Sequence, residues 1–552
     1  MAARPDTVRR QPSDDGAKVG WAWELAGATL LSLVVGVALA APCLPELSTR
    51  LLGHPDIDLS AHVWSYWWST QADPQALVNA PFHGVKFYVL EPVNLTLYRL
   101  FLPLTNMVMA HNLVVLMGWL VAGLGGYALG RAVTRSPLAG CVGLVLLELA
   151  PPTLNAVADG TGEFAWTGLL ALCMAAFIRL IRRPSLGWTL VAGLCFAVTG
   201  IACFYYGLFA GLAAMLWWMA RPQRSAHAQW RALGACALAA AFGTLLLLPF
   251  ILAFRAAPMD LHSASNTLFA FDYLPTELNE PDLPFALMER QALGPWPRLG
   301  WWFLAAALAA GGLTRRGELR RPAVVLGLAG LVMALGSVGP LGLPLPYLFT
   351  NRILGLLGGS LHQPIHFVTL TTLALLILAC RMVARRPLLA ALVVVLAVDL
   401  HPRMEWLPVP STILERSDAL RALRGREGSV LDLPSILTER QLDLDREAQH
   451  QLEHGRPIPR FPIFPTALVH AEGVRAARST ALVQALADGS PWGPVPPTTD
   501  LQGLGLRWLV LDREHGAALT APLRRWLGPP RWQDPHVEIY DLGSPQPVGV
   551  EP

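Results

Sequence analysis

WAWELAGATLLSLVVGVALAAPCL, residues 21–44, carries one ionisable side chain, Glu24. A bilayer core needs about 20 mostly apolar residues per helix, so this stretch predicts a membrane span. It is too long for the apolar core of a cleavable signal, and Pro42 and Pro45 close it. Ten further apolar runs follow: Met107–Gly130, Leu138–Val157, Phe164–Leu180, Leu186–Gly200, Phe204–Ala220, Ala232–Phe254, Leu299–Leu313, Val324–Val338, Ile365–Cys380 and Leu388–Leu400. The sequence thus predicts a polytopic α-helical membrane protein with about 11 transmembrane helices. A hydrophobic share of 53% against 15% charged residues fits that class, as does the mean hydropathy of +0.42.

Charge placement orients the threading, because Lys and Arg crowd cytoplasmic connections. One alternate set holds Arg4, Arg9, Arg10 and Lys18; Arg131 and Arg135; Arg182 and Arg183; Arg221, Arg224 and Arg231; Arg315, Arg316, Arg320 and Arg321; and Arg381, Arg385 and Arg386. The other set includes the longest connections and is poorer in positive charge. The tail 1–20 is therefore expected inside. Leu388–Leu400 is the shortest run, and its length alone also fits a buried or re-entrant segment. With the charge pattern it reads as a span, and an odd number of spans puts residues 401–552 outside. The large loops 45–106, 256–298 and 339–364 then share that outer face, where chemistry or binding is expected.

Residues 401–552 read as a small soluble α/β domain. Gly428–Leu433, Leu506–Asp512 and His536–Leu542 have the pattern of buried strands, and Ser417–Leu423 and Thr520–Leu527 that of helices. The seven cysteines lie in or beside apolar runs, and none falls in this region. They suggest neither a disulfide framework nor a CxxC metal site. A net charge of +3 is too small to imply a nucleic-acid partner. No Walker A loop, dinucleotide fingerprint, HExxH or GxSxG is present, which removes support for an ATP-driven pump or a cytosolic enzyme.

Four short constellations carry chemistry. The first outer loop opens Gly53-His54-Pro55-Asp56-Ile57-Asp58 and continues through His62, Trp64, Tyr66, Trp67 and Trp68. Asp56 and Asp58 can bind a divalent cation or act as a base, or stand as solvated loop residues. The aromatics can pack on a sugar ring or form an interfacial belt. Asp159-Gly160-Thr161-Gly162-Glu163 makes the next outer connection, where Glu163 either caps a helix or faces the same cavity. Phe204-Tyr205-Tyr206-Gly207 begins a span at the outer interface. His362-Gln363-Pro364-Ile365-His366 ends the third long loop, its two histidines four residues apart but separated by a proline.

Taken in order, these segments resemble the GT-C superfamily of membrane glycosyltransferases, and more narrowly its bacterial members with a soluble C-terminal domain. The acidic pair after helix one, Asn112 at the start of helix two, Gly126-Tyr127-Ala128-Leu129 near its end, the Asp159–Glu163 turn and Phe204–Gly207 carry the likeness. So do Ser263-Ala264 through Pro275, Pro344–Tyr347, Val430–Pro434, His454–Ile458, Gly505–Val510 and Val537–Leu542. One departure stands out. Where the family commonly has an Arg-x-Pro-x-Arg-Phe pattern, this chain has His362 and His366. Arg is permanently charged and grips phosphate with two donors, whereas His is largely neutral at pH 7.

The resemblance implies a GT-C-like fold in a bacterial inner (plasma) membrane. It implies transfer of a sugar from a polyprenyl-phosphate-linked donor, at the outer face, to an unknown acceptor. Asp56 or Asp58 would be the catalytic base, with a divalent cation (Mg or Mn) at the same carboxylates, and Glu163 a second acid. Arg352, His362 and His366 would lie near the donor phosphate, and His54, His62, Trp64, Tyr205 and Tyr206 would contact substrate. The alternative of another class is a non-catalytic GT-C-like protein acting in envelope assembly or in lipid or polysaccharide transport. A transporter usually keeps ionisable groups near the bilayer midplane, and here Glu148 is the main one.

Overall fold

The computed structural model of the protein describes residues 14–543 except 55–58, 83–91, 161, 221–225, 256–319, 335–345, 347–349, 351–363, 400–408, 410, 415–416, 439–440, 461–471 and 489–494. The chain enters through helix α1 (Asp14–Ala40). The loop 45–106, expected from the sequence on the outer face, then holds strand β1 (Arg50–Leu52) and helices α2 (Leu59–Ser69) and α3 (Pro92–Phe101). A helical body follows: α4 (Met107–Thr134), α5 (Pro137–Glu148), α6 (Pro151–Asp159), α7 (Thr167–Arg182), α8 (Leu186–Ala202), α9 (Phe204–Ala220), α10 (Ala226–Arg255), α11 (Arg320–Ala334), α12 (Val368–Arg385) and α13 (Leu389–Asp399).

Among the described residues five helices are long and apolar enough to cross a membrane, and a bent pair makes a sixth. Apolar helices able to cross a membrane are thus present as expected from the sequence, and the described residues account for five or six of the 11 spans. Leu138–Val157, expected as one span, is α5 and α6 bent by 42°. Pro151 and Pro152 follow the break, and Ala150 is extended, as a residue before proline prefers. Leu186–Ala202 and Phe204–Ala220 have 17 residues each and fall just short of the length. Leu388–Leu400 supplies only the 11-residue α13, about 16 Å long. Leu299–Leu313 lies outside the described residues.

Close backbone approach holds this body together. A Cβ on Gly126 would sit 2.2 Å from the Gly143 carbonyl oxygen, and one on Gly125 2.2 Å from that of Gly168. Small residues let α4, α5 and α7 meet where lipid supplies no hydrophobic drive between helices. Asn106 caps α4 by accepting from the Met109 amide at 2.9 Å.

Beyond residue 410, β2 (Ser411–Ile413) pairs antiparallel with β1, so the boundary expected near 401 is bridged by a sheet. A four-stranded sheet follows, ordered β3-β4-β6-β5, from β3 (Ser429–Leu433), β4 (Leu506–Asp512), β5 (Trp532–Gln533) and β6 (Val537–Asp541). β3 and β4 are parallel, and the other pairs are antiparallel. The three strands expected from the sequence are β3, β4 and β6. Short helices surround the sheet: α14 (Asp418–Arg421), α15 (Gln441–His454), α16 (Glu472–Arg478), α17 (Ala481–Ala487), α18 (Thr499–Gly503) and α19 (Thr520–Leu527).

Candidate functional site

The lead-in to the first outer loop is held from three sides. The fully buried Asn112 of α4 accepts from the Leu52 amide at 2.8 Å and donates to the Leu47 and Arg50 carbonyls at 2.8 and 2.7 Å. That leaves one acceptor lone pair unused. From the tail, the Thr412 hydroxyl donates to the Gly53 carbonyl at 2.7 Å. From the last turn of α6, the Ala158 carbonyl accepts from the His54 amide at 2.6 Å. Gly53 and Gly160 both have positive φ, 130° and 69°, and a Cβ on Gly53 would meet the Gly160 backbone at 3.1 Å. Only glycine combines that φ with so close a contact.

Asp56 and Asp58 themselves lie outside the described residues. The residues that flank that segment do not: His54 is tied to the Ala158 carbonyl, and Leu59 lies under Gly160. The two connections singled out in the sequence, 45–106 and 159–163, thus meet at the Gly160 turn. Just beyond it, His62 Nε2 of α2 stands 3.3 Å from Glu163 Oε2, both side chains partly exposed. A carboxylate and an imidazole at that separation can share or pass a proton.

α2 places His62 through its period. Ser60, Trp64 and Trp68 recur every four residues and share one face, whereas His62 and Tyr66 lie roughly opposite. Tyr66 is buried against the Tyr98 ring at 5.4 Å and the His111 ring at 6.0 Å. Trp166, at the turn before α7, donates from its indole to Asn94 of α3. The His62 ring itself lies 6.5 Å from the Tyr66 ring.

Several expected contacts turn out to be packing. Trp64 is fully buried, stacks on Trp68 at 5.7 Å and donates to Gln451 Oε1 at 2.7 Å. It is neither part of an interfacial belt nor open to a sugar ring. Tyr206 is buried and donates to the Phe164 carbonyl at 2.9 Å. Tyr205 is partly exposed, 5.6 Å from the Phe164 ring and 5.5 Å from His366. His366, in the turn Pro364–Phe367 before α12, lies flat on Phe164 at 3.9 Å. His54 is partly buried; His362 and Arg352 lie outside the described residues. Glu148 closes α5 fully buried, with Oε1 hydrogen-bonded to Ser32 of α1 and against Gly123, within the helix packing.

The sequence reading missed a buried polar set in the tail. His450 Nδ1 of α15 lies 2.6 Å from Asp432 Oδ2 of β3, and its Nε2 lies 3.9 Å from Asp512 Oδ2 of β4. Beside them Glu447 lies 3.5 Å from the fully buried Arg460. Asp432, His450 and Asp512 lie 18 to 80 residues apart and give no local motif. The usable signal was an Asp near the carboxyl end of each of two apolar strands. Among the described residues no group of three or more His, Cys, Asp or Glu is arranged to hold a metal ion.

No family model matches the chain, and no curated protein sequence matches it significantly. Solved structures do. The mycobacterial arabinofuranosyltransferase AftD superposes with a TM-score of 0.56 at 16% identity over 94% of this chain, which spans 40% of that protein's length. The Archaeoglobus fulgidus oligosaccharyltransferase tethered to an acceptor peptide superposes with a TM-score of 0.52 at 12% identity, covering 92% of this chain and 71% of that one. Its apo form gives 0.50 at 11% identity, covering 89% and 70%. At these identities the likeness shows the fold, and the fold is GT-C-like.

Proposed function

We propose that the protein is a GT-C-type glycosyltransferase that uses a polyprenyl-phosphate-linked sugar at the outer face of the membrane. The observation that carries this reading is the meeting of the two outer connections at the Gly160 turn, beside the His62–Glu163 pair, within a GT-C-like fold. A lipid-linked donor suits an outer site, because nucleotide sugars are not expected outside the cell. In the reaction the acceptor hydroxyl oxygen attacks the anomeric carbon. The bond from that carbon to phosphate oxygen breaks, and polyprenyl phosphate leaves with the electron pair. Asp56 or Asp58 takes the hydroxyl proton. Glu163, held by His62, is the second acid, with Arg352 and His362 near the donor phosphate and His54 and Tyr205 beside the substrate. A divalent cation, Mg or Mn, suits the hard oxygens of Asp56 and Asp58 and would neutralise the leaving phosphate.

Replacing Asp by Asn keeps size and removes basicity. In a solvated loop the change in stability should stay below about 0.5 kcal/mol. Asp56→Asn, Asp58→Asn and the double variant should insert and purify as wild type, while at least one fails to rescue the phenotype of a deletion. Full rescue by all three would make the protein a non-catalytic GT-C-like component of the cell envelope.

A further inference from the structure

The tail touches the loop 45–106 at several points, and at one of them, helix α15, a single side chain makes more of the contact than the rest. Gln451 of α15 is fully buried. Its Oε1 accepts from the Trp64 indole at 2.7 Å. Its Nε2 donates to the Leu77 carbonyl at 2.7 Å and to the Arg456 carbonyl at 2.9 Å. Both amide protons are spent, and three separate stretches of chain meet on one group. Around it, Ala448 and Leu452 pack with Trp64 and Trp68, and Gln449 donates to Ser60 Oγ at 2.7 Å. The same 74–80 stretch is tied to the tail again by backbone bonds, Ile458 to Leu77 at 3.1 Å and Ala80 to Ile458 at 3.0 Å.

The geometry has a direction. Ser60, Trp64 and Trp68 form the face of α2 that α15 grips, and His62 lies on the far side, 3.3 Å from Glu163. A rigid 11-residue helix held on one face presents the other at a set angle. α15 is itself seated from behind, where His450 lies against Asp432 and Asp512 of the sheet. A buried amide bonded at every donor leaves little freedom for a second seating, because each alternative would strand a polar group.

We propose that Gln451 is a positioning residue for the outer-face site: through it α15 sets the seat of α2 and so the approach of His62 to Glu163. The tail would then be a working part of that site and not a separable module. The proposal rests on the reading of the His62–Glu163 pair as part of the transfer site.

The test uses the full-length protein in lipid nanodiscs and needs no substrate. Gln451→Met keeps the length of the side chain and removes its three hydrogen bonds. Backbone amides of 59–69 and 74–80 should then exchange with deuterium about ten- to a hundredfold faster. Those of 107–134 and 506–512 should keep their wild-type rates. Trp64→Phe should reproduce the change in 59–69, and the double variant should add little there, since both variants break the bond between Trp64 and Gln451. Unchanged exchange in 59–69 overturns the proposal. So does faster exchange spread equally over 506–512, which would mean that Gln451 merely stabilises the tail. If sugar transfer is measurable, Gln451→Met should lower kcat more than it changes donor KM. Failure of transfer in the wild type would remove the functional reading and leave the exchange result standing as evidence about the clamp.

Discussion

The helices between 107 and 182 and the sheet between 429 and 541 both bury their interiors, but they fill them with different groups. In the first region α4, α5 and α7 meet across glycines, with carbonyl oxygens about where a side chain would begin. In the second, a histidine, two aspartates, a glutamate and an arginine are taken out of water together. Lipid-facing helices gain little by hiding apolar surface from one another and so rely on fit. A sheet with an apolar core of its own, such as Leu431, Leu509 and Tyr540, can bury charges provided that they are paired. The candidate site lies between the two regions, on a loop clamped by Asn112 from the first, by Gln451 from the second and by Thr412 of β2.

The sharpest break in that comparison would be topological. If the tail is water-exposed on the outer face, a reporter active only outside the cytoplasm should be active when fused after Pro552 and silent at Arg183 or Arg316. An inactive C-terminal fusion would mean that one of the connecting segments, Leu388–Leu400 first, does not span. Next in size is removal of one member of the buried set. Asp432→Ala leaves His450 without its nearest partner and should cost about 3–5 kcal/mol, read as a lower denaturation midpoint of the tail with the membrane helices intact. Gly126→Val should cost about 1–3 kcal/mol and act on the helices instead, lowering the yield of monodisperse protein in detergent. Gly27→Val on α1 is the control: nothing lies within 4 Å of its added Cβ, and no loss is expected.

The smallest effect is a pH dependence confined to the tail. Burial pushes Glu447 up to about 7 against the pull of Arg460. Burial would lower His450, but the Asp432 carboxylate and its hydrogen bond, with Asp512, raise it overall, against the opposing charge of Arg446. Both groups hold protons more tightly when folded than when unfolded. Their stabilisation is complete below the unfolded values, about 4.5 and 6.5, and is lost as pH rises through the folded ones. The unfolding midpoint of the tail should therefore be higher near about pH 6 than near about pH 8.5, and His450→Gln with Glu447→Gln should flatten the difference. A midpoint that rises with pH would contradict the assignment.

The sequence made the helical body legible because a run of apolar residues has few alternatives to a helix in lipid. It erred where length and proline decide, as at Pro151. The strands β3, β4 and β6 were readable from short apolar runs, but their neighbours in the sheet were not. Asn112 was noticed only through resemblance; its three bonds to 47–52 belong to a contact 60 residues away in sequence. Trp64 looked like a surface aromatic because a short amphipathic helix in an outer loop offers no sign that another segment will cover it. Gln451 carried no signal at all, since a lone glutamine in a polar helix reads as solvated until its partners are placed.

The proposed function assigns sugar transfer at the outer face to the acidic pair after the first helix. The most direct measurement is release of polyprenyl phosphate by purified full-length protein in nanodiscs supplied with a panel of polyprenyl-phosphate sugars and Mg or Mn. At least one donor should be turned over, and Asp56→Asn, Asp58→Asn or their combination should slow that turnover by about 10²–10⁴-fold without loss of folded protein. Absence of turnover with every donor, or turnover that survives in the double variant, would contradict it.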